Sequence, residues 1–248
     1  MLSGPSIANE FAHKMPTVVV LAGQTPYHLL QVSRMLDNGY FRTRFSSDEI
    51  GVELGGILKN IYAIGLGLFD GKKIESINFR AVYLTIAQEE IAKIGVGMGA
   101  RIETFLYLSG MGDLLATSLS EHSHNRHMGE LLAKGFTREE IEDSMGVLPE
   151  GYNTLQAVLY IAEKLHISIP LAKGLWEVIN GRDQAEHFIY SFINVFVDLS
   201  TPIHKPGRSS FSLARFQDAS RKFASRLTRS TSRSSSSTSL SSGSSCRL

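Results

Sequence analysis

The strongest apolar pattern in the chain runs from Asp48 to Gly71, DEIGVELGGILKNIYAIGLGLFDG, and its repeat of three to four residues predicts a helix. Spaced four apart, Gly51, Gly55, Lys59, Ala63 and Gly67 fall on one face, while Leu54, Leu58, Ile61 and Leu68 fill the others. Asp48 reads as the N-cap, and Asp70-Gly71 as the stop. A mid-helix glycine costs about 1 kcal/mol relative to alanine, so a stripe of them implies close approach of another helix or of a ligand. The small stripe therefore predicts a channel with a lysine in it.

Upstream, residues 1–47 alternate between β and α patterns. Pro16 to Ala22, PTVVVLA, is a short β-branched run of the buried parallel kind. Thr25-Pro26 can open a helix through Leu36, and Tyr40 to Phe45 returns as a strand. This β-α-β unit reads as the edge of a doubly wound sheet, although so few strands cannot make such a domain alone. Downstream, Phe79 to Ile94 predicts a helix with Ala81, Leu84, Ile91 and Ile94 inward and Glu89, Glu90 and Lys93 outward. Ile102 to Leu108 is expected to be helical, followed by the glycine-broken SGMGDLLATS. Thr137 opens another helix with Glu140 as capping-box partner. Tyr152 to Leu165, Pro170 to Ile179 and Asp183 to Phe196 complete an all-helical region of about six to eight helices over residues 49–196.

Chemistry enters through the one charge in the apolar stretch. A lysine among small and apolar groups loses solvation of its charged form, which lowers its pKa toward the range of proton transfer and makes Lys59 a candidate general acid/base. The plain alternative is a stem that snorkels to the surface. Asp113, between Gly112 and an apolar pair, is either a carboxylate near buried surface that needs a partner or a helix N-cap. Residues 120–127, SEHSHNRH, could seat an anion; a metal is disfavoured, since His122, His124 and His127 lack a sharp ligand spacing and no cysteine assists. Glu150 reads as a first-turn carboxylate favoured by the helix dipole. Nowhere does a G-x-G-x-x-G follow a strand, and Gly95, Gly97 and Gly99 follow a helical pattern instead.

Composition adds a division of the chain. With 248 residues and 43% hydrophobic side chains it can bury a substantial core. The formal charge of +1 conceals a split: residues 1–203 hold 16 Lys+Arg against 23 Asp+Glu, net −7, and residues 204–248 hold 9 against 1, net +8. An acidic body argues against nucleic-acid binding by the folded part. The tail carries 16 serines over those 45 residues, a composition that predicts disorder over 197–248 and that suits binding to RNA or acidic partners, phosphorylation, or a non-native extension alike. Cys246 is the only cysteine, so an internal disulfide is impossible. No signal peptide opens the chain, and Lys59 interrupts the best membrane-span candidate, so the expected compartment is the cytoplasm.

The segment GVELGGILKNIYAIGLGLFDG resembles the central motif of bacterial-type NAD(P)-dependent glycerol-3-phosphate dehydrogenases. LSGPSIANE, PTVVVLA, GMGDLLATS, the SHN at Ser123 to Asn125 and LPEGYNTLQAV extend the likeness in the same order from about residue 2 to about residue 195. The resemblance implies an α/β remnant over residues 1–48, the C-terminal edge of a Rossmann-type sheet. An all-α domain of the 6-phosphogluconate dehydrogenase C-terminal type then follows over 49–196. It also implies that a preceding part with the cofactor fingerprint and a second active-site lysine is missing from this chain. Implied, too, are hydride transfer between NAD or NADP and dihydroxyacetone phosphate, a role in phospholipid synthesis, and a homodimer formed through the helical domain. By matching position, Lys59 is the implied catalytic residue and the implied partner of the Asp113 carboxylate, and Gly4, Ser6, Asn60, Asp113, Ser123, His124 and Asn125 join it around the substrate. Ala8, His124, Leu148 and Glu150 are implied to touch the cofactor, and no metal is implied.

The chain departs from the family at two further places. Thr85, Ile86 and Ala87 stand where relatives carry Thr-Arg-Gly, a change expected to alter a helix contact or the dimer surface. His124 stands where relatives carry an arginine, and an imidazole cannot offer a phosphate the permanently charged fork of a guanidinium. Arg126 is a possible compensation. On the missing fingerprint, this chain alone is expected to bind NAD(P)H weakly and to turn over slowly or not at all. Two competing readings are a noncatalytic helical module that dimerises or caps a partner, and a nucleic-acid binder acting through the tail.

Overall fold

The computed structural model of the chain describes residues 1–120 and 123–196; the Ser/Arg-rich tail expected to be disordered lies outside the described residues. Three strands come first: β1 (Leu2–Ser3), β2 (Thr17–Ala22) and β3 (Phe41–Ser46), in the order β1-β2-β3. Helix α1 (Ala8–Ala12) joins the first two, and α2 (Pro26–Leu36) the last two. Strands β2 and β3 are parallel, Val18 pairing with Arg42 and Val20 with Arg44, as the β-α-β pattern predicts. Strand β1 is antiparallel to β2, which makes the small sheet mixed; its two residues are too short to leave a periodic signal. Thr25 precedes α2 with Pro26 at its first position, although its hydroxyl makes no cap bond.

The rest is helical: α3 (Glu49–Gly71), α4 (Ile77–Gly97), α5 (Ile102–Phe105), a π-helical turn (Leu108–Gly112), α6 (Asp113–Leu119), α7 (His124–Ala133), α8 (Arg138–Met145), α9 (Glu150–Lys164), α10 (Pro170–Ile179) and α11 (Ala185–Phe196). Helix α5 stops at Phe105 rather than running to Leu108. The reason is local: the Gln88 side-chain amide donates to the Phe105 carbonyl, and a Cβ at Gly110 would overlap the Phe105 backbone, so the chain must widen into the π turn there. The capping box of α8 forms as its sequence predicts.

Helix α3 is the axis of the fold. Leu58, Ile61, Tyr62, Ile64, Leu68 and Phe69 are fully buried in one core that also takes in Tyr83, Phe105, Leu114, Met128, Leu155 and Leu175 from the surrounding helices. By length and composition α3 could cross a membrane, but most of it is buried inside the fold, which accounts for its hydrophobicity. Its small stripe is not an open channel. A Cβ at Gly55 would overlap the Ser109 carbonyl of the π turn, and one at Gly67 would overlap the Arg126 carbonyl of α7. Gly129 of α7 sits against the Ile64 carbonyl in return, so α3 and α7 cross almost backbone to backbone. Lys59 falls between these two crossings. Ile86, one of the departures noted above, is buried in the same core, a helix contact rather than exposed surface.

Glu90 corrects the expected outward face of α4. It is 1% exposed; its carboxylate accepts from the amides of Leu171 (2.7 Å) and Ala172 (3.0 Å) in the first turn of α10 and from the Tyr62 hydroxyl (3.0 Å). The first turn of α10 has amides without intrahelical partners, and Glu90 is the group that satisfies them. Burial pushes this carboxyl up to about 7, against the opposing pull of the two amides, the Tyr62 hydroxyl and the Lys93 charge. A folded-state value above the unfolded one means that the folded protein holds the extra proton between about pH 4.5 and about 7. Stability from this group is therefore complete below that window, falls as pH rises through it and is level above. The difference in urea stability between wild type and Glu90→Gln should change by about 3 kcal/mol across that window, and a flat difference would refute the assignment.

Candidate functional site

Lys59 leaves α3 one turn after Gly55, and Asp113 opens α6 immediately after the π turn. The two meet: Lys59 Nζ lies 2.5 Å from Asp113 Oδ1. The Lys59 side chain is 20% exposed and that of Asp113 5%, so the carboxylate lies within the protein and the ammonium reaches toward its surface. Burial raises the Asp113 carboxyl above the usual range, while the Lys59 charge and its hydrogen bond pull it back down. The π turn sets this meeting, since Gly55 admits the Ser109 backbone against α3 and Asp113 then starts the next helix over Lys59.

The pair opens on a cleft of about 400 Å³. Asn60 and the pair itself line it from α3 and α6, Ser6 and Ala8 from the N-terminal side, and Thr117, Ser120 and Ser123 from the stretch between α6 and α7. Ser6 also donates to the Gly4 carbonyl (3.0 Å). Behind the cleft, the Asn60 side chain donates to Glu150 Oε2 (3.4 Å), and the Gly151 amide donates to Asn125 Oδ1 (2.9 Å). The start of α9 is thus held to α3 and α7. Ser123 caps α7, its hydroxyl accepting from the Arg126 amide (3.4 Å).

Of the positions singled out in the sequence, Lys59, Asn60, Asp113, Ser6, Ala8 and Ser123 line one cleft. Glu150 and Asn125 stand one hydrogen bond from that group, through Asn60 and Gly151. Gly4 is buried against the Val19 backbone, His124 is exposed at the start of α7, and Leu148 packs half-buried against the core; none of these three lines the cleft. Arg126 does not stand in for the absent arginine. Its Nε and Nη2 donate to Asp70 Oδ2 (2.8 and 2.6 Å), and its Nη1 donates to the carbonyls of Ser118 (3.1 Å) and Ser120 (2.6 Å), so the fork is consumed inside the protein. The hydroxyl of Thr117 was not legible as a site group, because a threonine near a helix end reads equally as a cap or a turn, whereas Ser120 opens the stretch read as a possible anion seat. Among the described residues no group of histidine, cysteine and carboxylate side chains could hold a metal ion.

A dinucleotide finds only part of a site. The turn from β2 into α2 has Pro26 at the first helical position and so lacks an amide that a pyrophosphate would use.

A family model described as the C-terminus of NAD-dependent glycerol-3-phosphate dehydrogenase matches residues 48–190. Among curated proteins, the glycerol-3-phosphate dehydrogenase [NAD(P)+] of Oleidesulfovibrio alaskensis is 42% identical over 180 residues, 73% of this chain and 54% of that protein. That of Bacillus cytotoxicus is 41% identical over 184 residues, 74% of this chain and 54% of that protein. The chain spans about half the length of the curated relatives it matches. Among solved structures, the glycerol-3-phosphate dehydrogenase of Coxiella burnetii superposes with a TM-score of 0.73 at 32% identity, covering 77% of this chain and 59% of that one.

Proposed function

The chain belongs to the NAD(P)-dependent glycerol-3-phosphate dehydrogenase family, and from that premise we propose that it supplies the substrate-holding, proton-transferring half of the reversible conversion of dihydroxyacetone phosphate to sn-glycerol 3-phosphate. The observation that carries the reading is the Lys59–Asp113 contact at the cleft. The bound nicotinamide would supply the hydride, with Ala8 in the cleft and Glu150, through Asn60, on its side. Lys59 Nζ would pass the matching proton to the ketone oxygen, and in the reverse direction take it from the hydroxyl. Asp113 would hold the ammonium in place, and Asn60 would orient the substrate beside it. With His124 out of the cleft and Arg126 engaged elsewhere, the phosphate would meet hydroxyls that line the cleft, those of Ser6, Thr117, Ser120 and Ser123.

In this reading residues 49–196 carry the acid/base group, and residues 1–48 are a remnant of a dinucleotide-binding domain whose missing portion would hold most of the cofactor. The chain acts in the cytoplasm as a homodimer joined through its helices, and the product enters phospholipid synthesis; the family likeness supports these points. The test uses the purified 248-residue chain. Calorimetry should show glycerol 3-phosphate binding that dihydroxyacetone phosphate displaces, while nicotinamide absorbance shows weak NAD(P)H binding and slow or absent turnover. Rapid turnover with NADPH would overturn the division of labour. A dimer indifferent to both phosphate and nucleotide would overturn the enzymatic reading in favour of a noncatalytic helical module.

A further inference from the structure

Arg126 stands 13 residues beyond Asp113 in the chain, at the opposite end of α6 from it. Its guanidinium takes the last carbonyls of that helix, Ser118 and Ser120, with one edge, and Asp70 near the end of α3 with the other. Asp70 is held in turn by Arg80, whose Nη2 lies 2.6 Å from Asp70 Oδ1, while Arg80 also donates to the Ile74 carbonyl (2.8 and 3.0 Å). Arg126 and Asp70 are 13% and 16% exposed, so water competes little for these bonds. Helix α6 is consequently fastened to α3 twice: at its first residue through Asp113 and Lys59, and beyond its last through Arg126 and Asp70. A helix of seven residues is too short to be stable in isolation, so its tilt is set by these two fastenings and by Leu114, which is fully buried.

We propose that Arg126 is a positioning residue: by fixing the far end of α6 against Asp70 it sets the tilt at which Asp113 meets Lys59 and at which Ser120 faces the cleft. The part of this that concerns ligand rests on the function proposed above. The part that concerns the Lys59–Asp113 pair does not. A purely structural guanidinium would alter the melting temperature and leave the pair as it was. A positioning one must change the pair's own titration.

The experiment follows the Asp113 carboxyl carbon by NMR against pH in the full chain, assigned by its absence in Asp113→Asn, together with calorimetric titration by glycerol 3-phosphate. In Arg126→Gln the Asp113 midpoint should move by about half a pH unit or more, and glycerol 3-phosphate affinity should fall about tenfold. Arg126→Lys keeps the cation beside Asp70 but cannot reach both carbonyls as well, so both changes should be smaller. An unmoved midpoint in Arg126→Gln, or in Arg126→Lys where the glutamine variant does not fold, would overturn the proposal. A moved midpoint in a chain whose wild type ignores glycerol 3-phosphate would support the positioning role and sink the proposed function instead. Normal wild-type binding with an unmoved midpoint would do the reverse.

Discussion

Lys59→Met should destabilise the protein by roughly 3 kcal/mol and abolish measurable glycerol 3-phosphate binding. The first effect follows from what stays behind: Asp113 is 5% exposed, and removing the ammonium leaves a buried carboxylate without its counter-charge. Methionine matches the lysine stem in length, so the loss reports the charge and its bond rather than a hole in the packing. Removing both partners tests this, because Lys59→Met with Asp113→Leu no longer buries a lone charge. Urea denaturation of the four proteins should give a coupling of about 2 kcal/mol, with the double variant more stable than Lys59→Met alone. Single losses that simply add would mean that the close contact between the two residues carries no energetic weight.

Gly67→Val should be more damaging to the fold and should act at the crossing of α3 with α7. The new Cβ would overlap the Arg126 carbonyl oxygen, and Gly129 lies against the same turn of α3, so neither helix can yield without separating from the other. Forcing them apart would strip Met128 and Leu132 from the core and cost at least about 3 kcal/mol. A substitution at Gly39, around which the structure is open, serves as control and should cost less than about 1 kcal/mol. A Gly67→Val protein whose urea midpoint matches wild type would show that α3 and α7 do not pack at this distance.

What the sequence made legible and what it did not follow from how each signal arises. The long helices α3, α9 and α10 could be read because a strong apolar repeat with a cap or a proline at its start marks both type and position. Strand β1 and the π turn could not, since two or five residues carry no period. Glu90 was read as outward because a carboxylate on a helix surface is usually solvated. Its burial depends on the first turn of α10, 81 residues further along, arriving with unpaired amides. At the candidate site, the pairing of Lys59 with Asp113 came from the family likeness rather than from any local rule, for 54 residues separate them. The fate of Arg126 turned on Asp70, which looked like nothing more than a helix stop.

Because Lys59 rides on the innermost helix, the group assigned to the chemistry belongs to the portion of the molecule expected to exchange its amides with solvent last. Fraying of the sheet edge or of the outer helices would leave it in register. Heat should then weaken ligand recognition, which also uses Ser6 and Ala8 from the N-terminal side of the cleft, before it dislodges Lys59 itself.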